Sequence, residues 1–261
     1  MRNVLTIAGK ELRIYLTTWT SYILFGAFML ITAYFFQVFV IRFQLDAQEM
    51  MQRQAGMLEH LNLTDRVLLP VFANISVFFL FLLPVLTMRL VAEERRGKTL
   101  ELLMTLPARP LEIVLAKYLA AVAIMGMMLA LTVVFPVLLH AFGTGEASPV
   151  DWSTVLTSYV GLALMGAACV AVGLFTSAVT ESQIIAAVVG FGTLLILYVI
   201  GGDPEGQGGV WQSVLDYLSI TSHLEKFVRG IVRISDVAYY LSLAFVGLFL
   251  THRVVEAQRW R

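Results

Sequence analysis

Side chains able to carry out chemistry are few in this sequence and widely separated. The histidines His60, His140, His223 and His252 lie in polar segments or near the ends of apolar runs. The sequence contains no His-Glu-x-x-His zinc motif, no Gly-x-Ser-x-Gly nucleophile motif and no Gly-x-x-x-x-Gly-Lys-Ser/Thr phosphate loop. We therefore expect no catalytic residue, no metal site and no cofactor bound by this chain, and we interpret His140 as an interfacial histidine.

Isolated polar residues within apolar runs give the remaining chemical signals. Cys169 is the only cysteine and lies in the segment Ala-Ala-Cys-Val-Ala, which predicts a small buried packing residue and excludes an intramolecular disulfide. Asn74 and Ser76 are among the polar residues nearest to membrane depth. Two interpretations of them stay open: they line a substrate pathway, or they form interhelical hydrogen bonds.

The composition indicates that the helices carrying these residues lie in a lipid bilayer. Of the 261 residues, 59% are hydrophobic and 14% are charged, whereas soluble proteins are about half apolar and about a quarter charged. We therefore predict an all-α polytopic membrane protein that forms a single transmembrane domain over residues 1–261. Its six predicted transmembrane helices cover approximately residues 19–41, 67–91, 119–142, 153–179, 184–200 and 237–255.

Two further segments are amphipathic and unsuited to crossing the membrane. Residues 1–18 place basic side chains opposite an apolar face, which is typical of a helix lying in the membrane interface. Residues 210–235 are too polar to span, and the run from Ser222 to Glu225 fits a capping box. We expect this second segment to form a helix that lies in the interface or dips partway into the leaflet.

The densest run of charge lies between the second and third predicted spans. Pro107 and Pro110 mark a helix end and a helix start there, because proline disfavours helix in the residue before it and suits the first helical position. The helix before them is predicted over about 97–106, with Thr99 able to cap it. The segment is either a solvated connector or a docking helix. Its length and its leucines favour docking to a soluble partner.

The distribution of charge predicts the orientation of the chain. With six spans, both termini lie on the same side of the membrane as the charged run, and most of the Lys and Arg residues lie on that side. The positive-inside rule then places the termini and the charged run in the cytoplasm.

The charged run and its flanks resemble the coupling-helix region of ABC-2 type transporter permeases. The resemblance rests on Met-Arg-Leu-Val-Ala-Glu-Glu-Arg-Arg-Gly-Lys-Thr-Leu-Glu-Leu-Leu from Met88 to Leu103, and on Glu-Ile-Val-Leu-Ala-Lys-Tyr-Leu from Glu112. Gly97-Lys98 stands in the reverse order relative to the family pattern. Within the family, the likeness is to the branch of gliding-motility-associated and nitrous-oxide-reductase-maturation permeases.

The resemblance implies an ATP-driven exporter with an N-terminal interfacial helix, six spans, and re-entrant helices before the sixth span on the outer side. Two permease subunits would pair in the bacterial cytoplasmic (inner) membrane, surrounded by membrane lipid. Separate ABC-type ATPase subunits would bind ATP and magnesium, so this chain would not itself be an enzyme, and no nucleic-acid partner is expected. The alternative is a non-transporting membrane scaffold or force-transmitting subunit that anchors an ABC-type ATPase.

The same resemblance assigns a role to the charged run. The coupling helix at about 97–106 would sit in a groove on the ATPase, and ATPase dimerisation would push it and move the second and third spans. The ATPase-coupling residues implied in this way are Glu93, Glu94, Arg95 and Arg96 for polar contacts, Leu100, Leu102 and Leu103 for buried contacts, and Gly97, Thr99 and Glu101 within the same element.

Overall fold

The computed structural model describes residues 2–53, 62–98, 109–142, 150–201 and 210–258, and these ranges are almost entirely helical. A π-helical turn at Thr64–Leu68 precedes the third helix. The helices are α1 Arg2–Thr17, α2 Trp19–Arg53, α3 Leu69–Thr87, α4 Arg89–Arg96, α5 Pro110–Thr132, α6 Val134–Phe142, α7 Trp152–Val179, α8 Gln183–Val199, α9 Val210–Leu218, α10 Ile220–Val228 and α11 Ile234–Gln258.

Five helical stretches of the described chain are long and apolar enough to cross a membrane. The helix α8 is also apolar but has 17 residues, which is at the lower limit of about 17–25 residues for a spanning helix. The prediction of six spans therefore stays a prediction. The five long stretches are Trp19–Glu49, Thr64–Arg96, Pro110–Phe142, Trp152–Val179 and Ile234–Gln258.

The helix α7 lies at the centre of the bundle and packs against α3, α4, α5, α8, α10 and α11. Glycines allow the closest of these contacts. A Cβ atom added to Gly247 of α11 would lie 2.8 Å from the backbone carbonyl carbon of Ala171. One added to Gly173 of α7 would overlap the hydroxyl of Thr87 on α3. Such close backbone approach is the usual source of helix association in lipid.

The two ends of α7 hold different parts of the chain. At its N-terminal end the Asp151 amide donates to Thr64 Oγ1 over 2.9 Å, and Ser158 Oγ lies 3.4 Å from the Val228 carbonyl oxygen of α10. At its C-terminal end Ser177 contacts α4. We call these the α10 end and the α4 end of the bundle.

Two of the long stretches are broken close to a proline. Pro84 lies inside α3, and the helix stops one turn later, at Met88, before α4 begins. Pro136 lies just beyond the break at Val133 that separates α5 from α6. A proline removes one backbone donor and its ring crowds the preceding turn, which fits the break at Val133 just before Pro136. The break at Met88 lies after Pro84 and coincides with Ser177 Oγ, which bonds the Met88 carbonyl and the Ala92 amide in place of the helical hydrogen bond between them.

A buried ionic cluster fixes α10 to the start of α11. His223 Nδ1 lies 2.6 Å from Asp236 Oδ1, and His223 Nε2 lies 3.0 Å from the Tyr217 carbonyl oxygen. Lys226 Nζ also contacts Asp236 Oδ1 at 3.0 Å, which favours the ionised carboxylate. These contacts join His223 and Lys226 of α10 to Asp236 in the first turn of α11.

The capping box predicted at Ser222 is wrong. The helix α10 begins at Ile220, and its N-cap is Ser219, whose Oγ accepts from the Ser222 amide over 3.4 Å. Glu225 instead pairs with Arg229 one turn along the helix. The helix therefore starts one turn earlier than the sequence pattern indicates, because Ser219 supplies the capping oxygen.

Candidate coupling site

The helix α4 carries the first part of the charged run, and Ser177 of α7 anchors its beginning. Ser177 Oγ donates to the Met88 carbonyl over 2.8 Å and accepts from the Val91 and Ala92 amides over 3.1 Å each. The amides in the first turn of a helix have no partner within that helix. One hydroxyl therefore uses its donor and both lone pairs to bridge the break between α3 and α4.

The middle of α4 is held by a buried lysine from the third long stretch. Lys117 Nζ lies 2.8 Å from Glu94 Oε1 and 3.0 Å from Glu11 Oε1, and only 2% of its side chain is exposed. Glu11 belongs to α1, Glu94 to α4 and Lys117 to α5. The ammonium group of Lys117 thus joins α1 to α4 and α5, the helices before and after the predicted coupling helix.

Tyr15 adds a second contact between α1 and the break at Met88. Its hydroxyl donates to the Leu86 carbonyl over 2.7 Å, and the Arg89 guanidinium lies 4.5 Å above the centre of its ring. Burial raises the pKa of Tyr15 to about 12, although the nearby Arg89 opposes the rise. The phenol therefore stays protonated at neutral pH and keeps donating its hydrogen bond.

Arg95 holds the C-terminal part of α4 against the end of α7. Its Nη1 donates to the Ala178 carbonyl over 2.7 Å, and its Nη2 lies 3.6 Å from the exposed Glu181 carboxylate. A cation at the C-terminus of a helix interacts favourably with the helix dipole. The carbonyl contact is the stronger restraint, because an ion pair with an exposed carboxylate contributes little.

The described chain stops α4 with a turn and begins α5 at a proline. Gly97 ends α4 with an ordinary φ of −79°, and Lys98 after it has a φ of 53°, in the left-handed region that favours glycine. Pro110 is the first residue of α5, and the Glu112 carboxylate accepts from the Arg109 amide over 3.1 Å. The predicted helix start at Pro110 is confirmed.

The predicted ATPase-coupling residues fall into three groups. Glu93 and Arg96 are exposed on α4. Glu94 and Arg95 are bound within the chain, to Lys117 and Ala178 respectively. Of the predicted coupling helix at 97–106, only Gly97 and Lys98 are described. Thr99, Leu100, Glu101, Leu102 and Leu103 lie outside the described residues, and the role assigned to them stays a prediction.

The two residues considered for a substrate pathway have their polar groups bound within the bundle. Asn74 Nδ2 donates to the Pro70 carbonyl over 2.8 Å, one turn back in α3. Ser76 Oγ donates to the Ala73 carbonyl over 2.6 Å and lies 3.5 Å from the Tyr198 hydroxyl of α8. These contacts match the interhelical interpretation for Ser76, and the pathway role is untested.

Sequence reasoning missed Ser177, Lys117, Glu11 and Tyr15 as members of this site. Of these four residues, only Lys117 could be recognised from the sequence, because it is a charged residue at the start of a long apolar run. Within the described ranges, no group of three or more His, Cys, Asp or Glu side chains is placed to hold a metal ion. The contacts of Lys117, Tyr15 and Ser177 make the site a junction between α1, α4, α5 and α7.

The fold and this junction define a helical, multi-pass membrane protein with a charged, anchored element at one end of the bundle. A family model described as ABC-2 family transporter protein matches residues 5–252, and the chain belongs to that family. No curated protein matches the chain. Family membership makes the chain a permease component of a transporter and implies an ABC ATPase subunit as its partner; membrane subunits of this family are generally not enzymes themselves.

The bridge at Ser177 makes a testable contribution to stability. Ser177→Ala removes the hydroxyl and leaves the Met88 carbonyl and the Val91 and Ala92 amides without this partner. We expect a loss of about 2 kcal/mol, seen as a melting temperature several degrees lower in detergent. Ser153→Ala, at an exposed position in the first turn of α7, is the matched control. Equal melting of the two variants would show that Ser177 does not anchor α4.

Replacing the central lysine tests the junction more strongly. Lys117→Met leaves two carboxylates facing one another without their cation, at an expected cost of about 3–5 kcal/mol. Adding Glu11→Gln and Glu94→Gln removes the uncompensated charge and should restore most of the melting temperature. Lys98→Met changes an exposed lysine and serves as the control. A single variant as stable as wild type, or a triple variant no better than the single one, would contradict the ionic junction.

Proposed function

We propose that the chain is the transmembrane permease subunit of an ATP-driven exporter, in which a separate ATPase subunit hydrolyses ATP and the permease moves a substrate across the membrane. The observation that carries this proposal is the junction at Lys117. It ties both helices that flank the predicted coupling helix to α1, so a force on that segment reaches three elements together. We also propose that the chain belongs to the branch of gliding-motility-associated and nitrous-oxide-reductase-maturation permeases. This assignment rests only on the sequence motif from Met88 to Leu103.

The proposed topology has six crossings and cytoplasmic termini in a bacterial inner membrane. The helix α8 supplies the sixth crossing: it begins just after α7 ends at the α4 end, and near its other end the Tyr198 carbonyl accepts from Thr221 Oγ1 of α10 over 2.6 Å. The positive-inside distribution then makes the α4 end cytoplasmic. In this orientation α9 and α10 are the outer, re-entrant helices, and residues 1–261 form one transmembrane domain.

The ATPase docks on the segment after α4. Leu100, Leu102 and Leu103 enter its groove, while Glu93 and Arg96, which are exposed, make polar contacts at the rim. Glu94 and Arg95 have a different task, since they fix α4 to α5 and α7. ATP and magnesium are bound by the ATPase, and two permease copies pair in the membrane.

The geometry suggests how ATPase motion is converted into permease motion. When two ATPase subunits close, they displace the coupling segment, and α4 and the start of α5 move with α1 because Lys117 joins them. The breaks at Met88 and Val133 are the points where these helices can bend relative to α3 and α6. The contacts of Ser177 and Arg95 that hold α4 to the C-terminal end of α7 must rearrange in this movement, while the remainder of α7 stays in place.

A reconstituted complex of the permease with its ATPase tests the docking assignment. Leu102→Asp puts a charge into the proposed apolar contact and should abolish co-purification of the ATPase, while the permease still inserts in the membrane. Gln207→Asp adds the same charge between α8 and α9, on the opposite side in the proposed topology, and should leave ATPase binding intact. ATPase binding that survives Leu102→Asp would refute the docking assignment.

The same complex distinguishes transport from scaffolding. Lys117→Met should keep ATPase binding, because the lysine lies away from the docking segment. The variant should lose the stimulation of ATP hydrolysis that candidate cargo produces in liposomes, because α1, α4 and α5 would no longer move together. Wild-type complexes in which no lipid or peptide cargo changes ATP turnover would favour a scaffold that anchors the ATPase.

A further inference from the structure

A polar cavity of about 330 Å³ lies between α1 and α4 at the α4 end of the bundle. Lys117 forms part of its wall, together with the two carboxylates that hold it. The remaining charged residues on the wall are Lys10, Arg89 and Glu93. The junction itself uses one cation and two carboxylates, so the rest of the wall offers two cations and one carboxylate to a ligand.

That set of charges fits a ligand that carries a phosphate and an ammonium group. A phosphodiester would bind between Lys10 and the guanidinium of Arg89, since charge-assisted contacts to phosphate are strong. One oxygen of the Glu93 carboxylate would accept from a primary ammonium, which leaves the other for the proposed contact with the ATPase. The wall of the cavity carries both positive and negative side chains. A site for a simple anion would have positive side chains only.

A narrow cleft between α2 and the end of α3 lies next to the polar cavity. Tyr15 and Arg89 line both spaces. The cleft holds about 30 Å³ of free space, is mainly apolar, and is lined also by Leu24 and Val85. Val85 is 39% exposed on the outside of the bundle, so the cleft faces the surrounding lipid. A ligand that contacts both spaces would combine a charged head with an apolar tail, and a space of this size takes only the beginning of that tail.

Ser21, which lines the cleft, gives an independent sign of a ligand. Its side chain lines the cleft and the residue is only 3% exposed. Its hydroxyl has no hydrogen-bond partner within the described chain. A buried hydroxyl without a partner is costly. The ester carbonyl that joins the headgroup of a phospholipid to its acyl chain is an acceptor suited to this position.

We propose that this composite site binds one phospholipid with a phosphoethanolamine headgroup, taken from the membrane leaflet at the α4 end. The phosphate lies at Arg89 and Lys10, the ammonium at Glu93, an ester carbonyl at Ser21, and an acyl chain along Leu24 and Val85. The lipid joins α1 and α2 to α4 beside the Lys117 junction. The site depends on the chain lying in a membrane and is independent of what the transporter exports.

The experiment measures lipid binding to delipidated permease in detergent, without the ATPase. Phosphatidylethanolamine should raise the melting temperature, and native mass spectrometry should show one bound copy per chain. Phosphatidylglycerol should bind about tenfold more weakly, since it lacks the ammonium. Glycerophosphoethanolamine, the soluble headgroup, should not compete at matched concentration, because it lacks the acyl chain.

Three variants and one control locate the site. Arg89→Ala and Ser21→Ala should each weaken phosphatidylethanolamine binding, the first by about tenfold. Glu93→Gln should abolish the preference over phosphatidylglycerol while keeping binding. Arg96→Ala removes an exposed arginine of the same helix and should bind as wild type does. Because Arg89 also stacks on Tyr15, Ser21→Ala and Glu93→Gln carry the test if Arg89→Ala does not fold.

Three results would overturn the proposal. Equal stabilisation of wild type by phosphatidylethanolamine and phosphatidylglycerol would indicate a general effect of lipid. Competition by the soluble headgroup at equal affinity would indicate a small polar ligand and not a lipid. Wild-type affinity and selectivity in both Ser21→Ala and Glu93→Gln would place any bound lipid elsewhere on the chain.

Discussion

The contact on which the rest of the α4 end depends is the ammonium of Lys117 between the carboxylates of Glu11 and Glu94. An almost fully buried lysine is costly to take out of water, and two short contacts to carboxylates offset that cost only while all three groups stay in place. The arrangement therefore gives α1, α4 and α5 one shared geometry. Any movement that separates them would leave a charge without its partner.

This fixed group is attached to the remainder of the bundle by contacts of a different kind. At Met88 the helical ladder is interrupted, and the hydroxyl of Ser177 supplies the hydrogen bonds that the interruption removes. Elsewhere in the bundle, Gly247 lets the backbone of α11 approach that of α7, and Gly173 of α7 leaves room for the Thr87 side chain of α3. The result is a packed core around α7 with a charged group of helices at one end, and this is the arrangement on which the proposed coupling to an ATPase relies.

The sequence predicted local features well and spatial contacts poorly. Apolar runs indicated the long helices, and Pro110 marked the start of α5. Both features depend only on residues that are close together in the sequence. The capping box at Ser222 failed, since two serines three residues apart offer equivalent local patterns and only the surrounding packing selects Ser219. Lys117 and Ser177 could not be paired with their partners from one sequence, because those partners lie as far as 106 residues away.

The central claim is that α1 and the start of α5 move as one unit during the ATPase cycle. Spin labels at the exposed positions Arg13→Cys and Leu111→Cys, with Cys169→Ala to remove the buried native thiol, report their separation in the reconstituted complex. A third label at Arg253→Cys gives a reference on α11. The account predicts that ATP changes the Leu111–Arg253 distance while the Arg13–Leu111 distance stays constant. A change in the Arg13–Leu111 distance on ATP binding would contradict it.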